Sequence, residues 1–385
     1  MTEPEPIDVP FAGLRRNARA LAVGFAILLG VVVLPDLAPL PTTPSPVELV
    51  HGRVVALSLA AEDPSQTVVT VEAIDGPRAG ERLDGQPQGP SGAGDLPDYR
   101  IGDEVVVSVS TDPDAPFTAI SDRYRVPTLS LLLGLFAIAV TVVGGWRGVR
   151  ALLALTLTLA VVVKLVVPLI LGGWDPAWVA ILAASGVTAV TFLLTEGARR
   201  TTLAAAVGTF ASLVLVAALA LAFDTLARFT ALRGSEDAGY LVSLGIGSVD
   251  LGGLVLAAII FGALGILDDV TVTQAAAVGE LDAADPGMGR LQLAGRAMNV
   301  GRSHIAATVN TLVLAYVGAS LPLIVLFAAG RQDPWLIVSG EVVAVEVVRA
   351  LVGSIGIVAA VPITTAVAVW LLRPAASPER ATHTR

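Results

Sequence analysis

Long apolar runs separated by short basic segments fill the chain beyond residue 126, and a single polar stretch interrupts the pattern nearer the N-terminus. An apolar run of roughly 18 residues or more is long enough to cross a bilayer as a helix. On this basis the first span is 18–35, and seven more follow at about 127–145, 149–171, 177–195, 202–223, 250–267, 305–328 and 351–372. Two further apolar segments, 238–249 and 334–350, adjoin these spans and read as interfacial or re-entrant helices. Residues 1–17 and 373–385 are polar tails. The basic LRRNAR run before residue 18 resembles the start of a signal peptide, but no small-x-small cleavage site follows, so 18–35 is expected to remain as an anchor.

The polar stretch, residues 46–125, carries a different period. VELVHGRVVALSLA, QTVVTVEAI and DEVVVSVS are Val-rich strand segments separated by Gly, Pro and Asp. Four or five short strands in this length predict a small all-β module, OB-like or a sandwich. The fold class is therefore an α-helical polytopic membrane protein of about eight transmembrane helices, with a β domain inserted after the first.

Composition agrees. Only 15% of the residues are charged and the mean hydropathy is +0.77. The charge is unevenly placed: 46–125 holds 14 acidic residues and six Arg, nearly the whole excess behind the net charge of −9. So acidic a surface disfavours nucleic acid and reads as a solvated face, or as a docking face for a protein partner. With the N-terminus inside, thirteen Arg lie in cytoplasmic segments and three in the short outer loops. That bias places both termini in the cytoplasm and the β domain outside.

Several chemistries are excluded at this level. The chain has no Cys, three separated His (His51, His304, His383) and one Lys, Lys164, which lies in a span rather than a Gly-rich phosphate loop. No metal site or cofactor is expected, and no catalytic residues. HExxH is absent, as are a Gly-x-Ser-Gly serine site with a partner His and the paired intramembrane Asp of an aspartyl protease. The expectation is that the protein is not an enzyme.

Polar residues inside spans are costly and call for a reason. In GALGILDDVTVTQAAAVGEL, Asp268 and Asp269 fall where the sixth span reaches the cytoplasmic face. If the helix continues, Asp269, Thr273 and Glu280 share one stripe, flanked by Gln274. Carboxylates, a hydroxyl and an amide suit a hard cation or a proton relay; acids just past a span also occur as plain solvated caps. In GRAMNVGRSHIAATVNTLVLAYVGASLP, Asn299, Arg302 and Asn310 lie close to one face, and Arg302 is placed to pair with Asp269 or to anchor the span. In EVVRALVGSIGIVAAVPITT, Glu346 and Arg349 are three apart and can pair, and Pro362 would kink the span.

Together these three stretches resemble the YibE/F-like family of bacterial membrane proteins. The matching residues are GALG followed by Asp269 and Val270, then Gly301 and Arg302 with TVNTLVLAYVGASLP, then Glu346-Val-Val-Arg349-Ala-Leu-Val-Gly-Ser-Ile-Gly and Val-Pro362-Ile-Thr-Thr. Asp268 departs from the family, which often has an apolar residue there. The resemblance implies a multi-pass protein of the bacterial plasma (inner) membrane without an established activity, for which a permease-like role is supposed.

The function expected from all this is transport of an unknown small solute or ion, with Asp269 and either Glu280 or Arg302 forming a charged gate and Asn310 lining the route. The alternative is a non-transporting scaffold or accessory subunit that binds a partner through the acidic outer domain. A membrane enzyme of a new kind is third.

Overall fold

A computed structural model describes residues 47–59, 67–87, 99–229, 250–330 and 333–373. The expected anchor at 18–35, the segment 238–249 and the C-terminal tail lie outside the described residues. Two compact units are present, Thr42–Ala139 and the rest of the chain.

In the first unit, β1 (Val47–Leu59), β2 (Thr67–Ala73), β3 (Arg82–Pro87), β4 (Glu104–Ser110) and β5 (Thr118–Arg123) close into one barrel in the order β1-β2-β3-β5-β4. A single closed barrel fits the OB-like alternative and excludes a two-sheet sandwich. Alternation of Val decides the inside. Val54 pairs with Val71 and Val50 with Val107, and with Val69, Val105 and Ile120 these form a core with almost no solvent exposure. Each such side chain contributes about 1.5–3 kcal/mol on burial. Gly52 lets the long β1 pass close to β2, because a Cβ there would stand 2.3 Å from Val71 Cγ1.

The helices begin with α1 (Val126–Val161). It runs through a π-helical turn at Val162–Val166 into α2 (Val167–Leu171). The wide turn has a local cause. Pro168 has no N–H to offer the preceding turn, and the N–H of Val167 reaches back five residues to the Val162 carbonyl. The continuous helical stretch of 46 residues would measure about 69 Å, more than twice a hydrocarbon core of ~30 Å. The chain breaks it at Gly145, whose φ of 56° and ψ of −135° are non-helical and suit glycine.

Next come α3 (Pro176–Thr195), α4 (Arg200–Ala227) and α5 (Leu251–Ala284). Asp175 caps α3 by accepting from the N–H groups of Ala177 and Trp178, and Asp250 caps α5 by accepting from Gly252. The chain continues as α6 (Arg290–Ala319), α7 (Leu321–Ala329), α8 (Pro334–Ser339) and α9 (Glu341–Leu372). Five helical stretches among the described residues are long and apolar enough to cross a membrane: Val126–Leu171, α3, α4, α5 and α9.

Three sequence expectations change here. The expected span 250–267 is the first half of a helix that continues to Ala284, because its second half is also packed, through Ala275 and Val278. The expected span 305–328 is interrupted at Ser320, just before Pro322, which separates α6 from α7. The segment 334–350 is the short α8 followed by the first turns of α9, separated at Gly340.

The centre of the bundle is α5, which contacts α3, α4, α6 and α9. One apolar cluster gathers Leu213 and Val216 of α4, Ile260 and Leu267 of α5, and Val352 and Ile357 of α9. A second gathers Phe192, Ala204, Ala275, Leu293, Ala297 and Ala368. Small residues set the spacing, as is usual between membrane helices. A Cβ on Gly356 would lie 2.4 Å from Val216 Cγ2, and one on Gly301 would lie 2.4 Å from Val361 Cγ1.

Candidate functional site

Between the two apolar clusters the helices turn polar side chains toward one another. Along α5, Leu264 and Leu267 belong to one cluster and Ala275 and Val278 to the other. Asp268, Thr271 and Gln274 occupy the interval. Asp268 is 18 positions past the cap at Asp250, or about 27 Å along the helix, and about 21 Å before Asp282. The carboxylate is thus embedded in the bundle and is not a cap at its rim.

Thr188 of α3, only 3% exposed, donates its hydroxyl to Asp268, at 3.1 Å to Oδ1 and 3.4 Å to Oδ2. The hydroxyl of Thr209 on α4 lies 2.6 Å from the hydroxyl of Thr271. Thr271 in turn donates to the Asp268 carbonyl at 3.3 Å. Among the described residues no Arg, Lys or His forms an ion pair with Asp268. A cleft of about 230 Å³ between α3 and α4, lined in part by Ser185, Thr188 and Phe210, leads to the Thr188 side of this group.

One turn further, Gln274 ties three helices together. Its amide donates to the Ala297 carbonyl of α6 at 3.0 Å and to Thr365 Oγ1 of α9 at 2.7 Å. Thr365 donates onward to the Val361 carbonyl. Beside it, Thr364 is fully buried against Gly208, and its hydroxyl has no partner among the described residues.

The predicted site residues divide sharply. Asp268 and Gln274 face inward. Asp269, Thr273 and Glu280 share a stripe as expected, but that stripe is exposed, and the Thr273 hydroxyl is used by the Asp269 carbonyl of its own helix at 2.7 Å. Asn299, Arg302 and Asn310 are exposed on α6 as well; its buried face is Leu293, Ala297, Gly301 and Leu312. Arg302 donates to Asn299 Oδ1 at 3.1 Å and forms no ion pair with Asp269. Glu346 and Arg349 do pair, at 2.8 Å, beside an apolar cleft shared with Tyr316 and Ser320. Sequence reasoning missed Thr188, Thr209, Ser212 and Thr271, although each is buried; Thr364 and Thr365 are legible beside Pro362 as hydroxyls for backbone carbonyls, and Thr365 does bond one.

The arrangement offers a carboxylate and several hydroxyl oxygens, with no basic group paired to the carboxylate among the described residues. That donor set suits a proton or a small monovalent cation. A divalent ion would leave a net positive charge in a low-dielectric interior. Among the described residues no group of three or more His, Cys, Asp or Glu is placed to hold a metal ion. A family model described as YibE/F-like protein matches residues 132–374, which include every helix named from α3 to α9. No curated protein and no solved structure matches the chain.

Proposed function

Because the chain belongs to the YibE/F-like family and has helices of membrane-spanning character, we propose that it moves a proton or small monovalent cation across the bacterial inner membrane, with Asp268 as the group that takes it up. One observation carries this reading: the Asp268 carboxylate lies inside the bundle, bonded to a buried threonine and without an ion-pair partner among the described residues. On insertion scales an acidic residue at such depth costs about 2.5–3.5 kcal/mol. A cost of that size is retained when the charge is used. Thr188, Thr209 and Thr271 supply oxygens in place of the hydration shell, and the cleft between α3 and α4 gives the approach. In this reading Asp269 is not the gate, Asn310 does not line the route, and the chain crosses the membrane about eight times with both termini in the cytoplasm and the barrel outside.

The test uses proteoliposomes carrying the full-length protein, a pH-sensitive dye inside, and an imposed proton, Na⁺ or K⁺ gradient. Flux is expected in the wild type and in Asp269→Asn, and is expected to fall at least about tenfold in Asp268→Asn. Equal flux through wild type and Asp268→Asn rejects the assignment.

A further inference from the structure

At the start of α4, far along the helices from Asp268, a second cleft of about 340 Å³ opens, at the small end of the roughly 300–1,000 Å³ typical of ligand sites. Its polar lining is Glu196, which follows α3, then Arg199, Arg200, Thr201 and Thr202, and finally Glu280 of α5. The beginning of α4 has no side-chain cap and no acidic residue in its first turn. Its leading N–H groups and the positive end of the helix dipole are therefore available to an anion.

A second observation is independent of the helix end. Thr202 is 7% exposed, lines the cleft, and its buried hydroxyl has no partner among the described residues. A buried hydroxyl is costly to leave unpaired, and a ligand oxygen in the cleft would satisfy it. The floor is kept open by Gly279, where a Cβ would lie 2.8 Å from Thr201 Cγ2. Arg200 is already steadied by a hydrogen bond to the Leu371 carbonyl, at 3.4 Å.

The two arginines are balanced by two carboxylates. A multiply charged inorganic anion would be repelled by Glu196 and Glu280; a zwitterion would be met at both ends. We propose that this cleft binds a phosphoethanolamine-type group, its phosphate at Thr202, Arg199, Arg200 and the α4 N-terminus, and its ammonium toward Glu196 and Glu280. The same chemistry comes from a phospholipid headgroup or from a free phosphoethanolamine solute.

The experiment takes the full-length protein in nanodiscs of phosphatidylcholine with or without phosphatidylethanolamine, and separately adds O-phosphoethanolamine or inorganic phosphate. Thermal unfolding and native mass spectrometry read binding. A higher midpoint and retained lipid with phosphatidylethanolamine only assign the lipid source; a response to O-phosphoethanolamine as well assigns a site open to solutes, and both outcomes support the proposal. Thr202→Val and Arg199→Gln are each expected to weaken binding about tenfold, with Thr202→Ser close to wild type. An equal response to inorganic phosphate, no response to any probe, or unchanged binding in both weakened variants overturns it. Cation flux is read in parallel: its loss by Asp268→Asn and its retention in Thr202→Val separate this site from the transport reading.

Discussion

The Thr188 hydroxyl meets the Asp268 carboxylate at 3.1 Å across the α3–α5 contact. The bond marks which of two adjacent acids looks into the bundle. Neighbouring positions on a helix point about 100° apart, so turning Asp268 inward necessarily turns Asp269 out.

Thr188→Val keeps shape and removes the donor. It is expected to shift the cation concentration that half-saturates flux by about tenfold, since a hydrogen bond to a charged group is worth about 1.5–3 kcal/mol. Thr188→Ser should restore most of it. Concentration dependence of flux in proteoliposomes checks this, and full activity of the valine variant would remove Thr188 from the site.

Much of the fold is legible in the sequence, and the site only partly so. The Val alternation marks the barrel, and the apolar runs mark the helices, because length and polarity alone carry those signals. The inward face of α5 is harder. In a bundle meant for lipid, apolar residues cover the outside as well as the core, so hydrophobic period gives little phase. The phase comes from packing, with Leu267, Val270, Thr271 and Gln274 buried, and it turns Asp268 rather than Asp269 into the bundle. The buried threonines are silent for another reason. Hydroxyls in a helix commonly bond their own preceding carbonyl, as Thr273 does, and nothing in the sequence separates those from Thr188 or Thr209.

Gln274→Leu should destabilise the helical unit by about 1–3 kcal/mol, because it leaves the Ala297 carbonyl and the Thr365 hydroxyl without their donor. Combined with Thr365→Val the loss should be less than additive, since the two groups share one bond. Thermal unfolding of the two single variants and the double variant in detergent measures the coupling; strict additivity would contradict the bridge.

Gly356 and Gly265 provide a matched pair. A side chain on Gly356 runs into Val216, whereas nothing lies within 4 Å of a Cβ on Gly265. Gly356→Val is expected to cost about 1–3 kcal/mol through overpacking, and Gly265→Ala to be neutral or slightly stabilising. The same unfolding assay ranks them, and the reverse order would refute the packing described.

Tyr99 of the barrel is buried, and burial, reinforced by Asp122, holds its phenol above the ordinary value of 10.0 against the opposing pull of Arg123. A group that binds its proton more tightly when folded contributes stability that is intact below the unfolded value. That contribution is lost as pH rises through the folded value. The Tyr99 tyrosinate transition, taken as the absorbance difference between wild type and Tyr99→Phe, should therefore have its midpoint above 10.0. A midpoint at or below that value would place the ring in water.

The break at Gly145 bears on how the protein is made. Without it, Val126–Leu171 would leave the ribosome as one apolar rod too long for any bilayer. With it, the nascent chain carries its own fold line, beside Arg147 and an Arg150 that donates to the Leu194 carbonyl of α3. The segment after that line carries the arginine that meets α3 when that helix is synthesised. A residue other than glycine at 145 would therefore be felt first in biogenesis, as poor membrane insertion, before any assay of the finished protein.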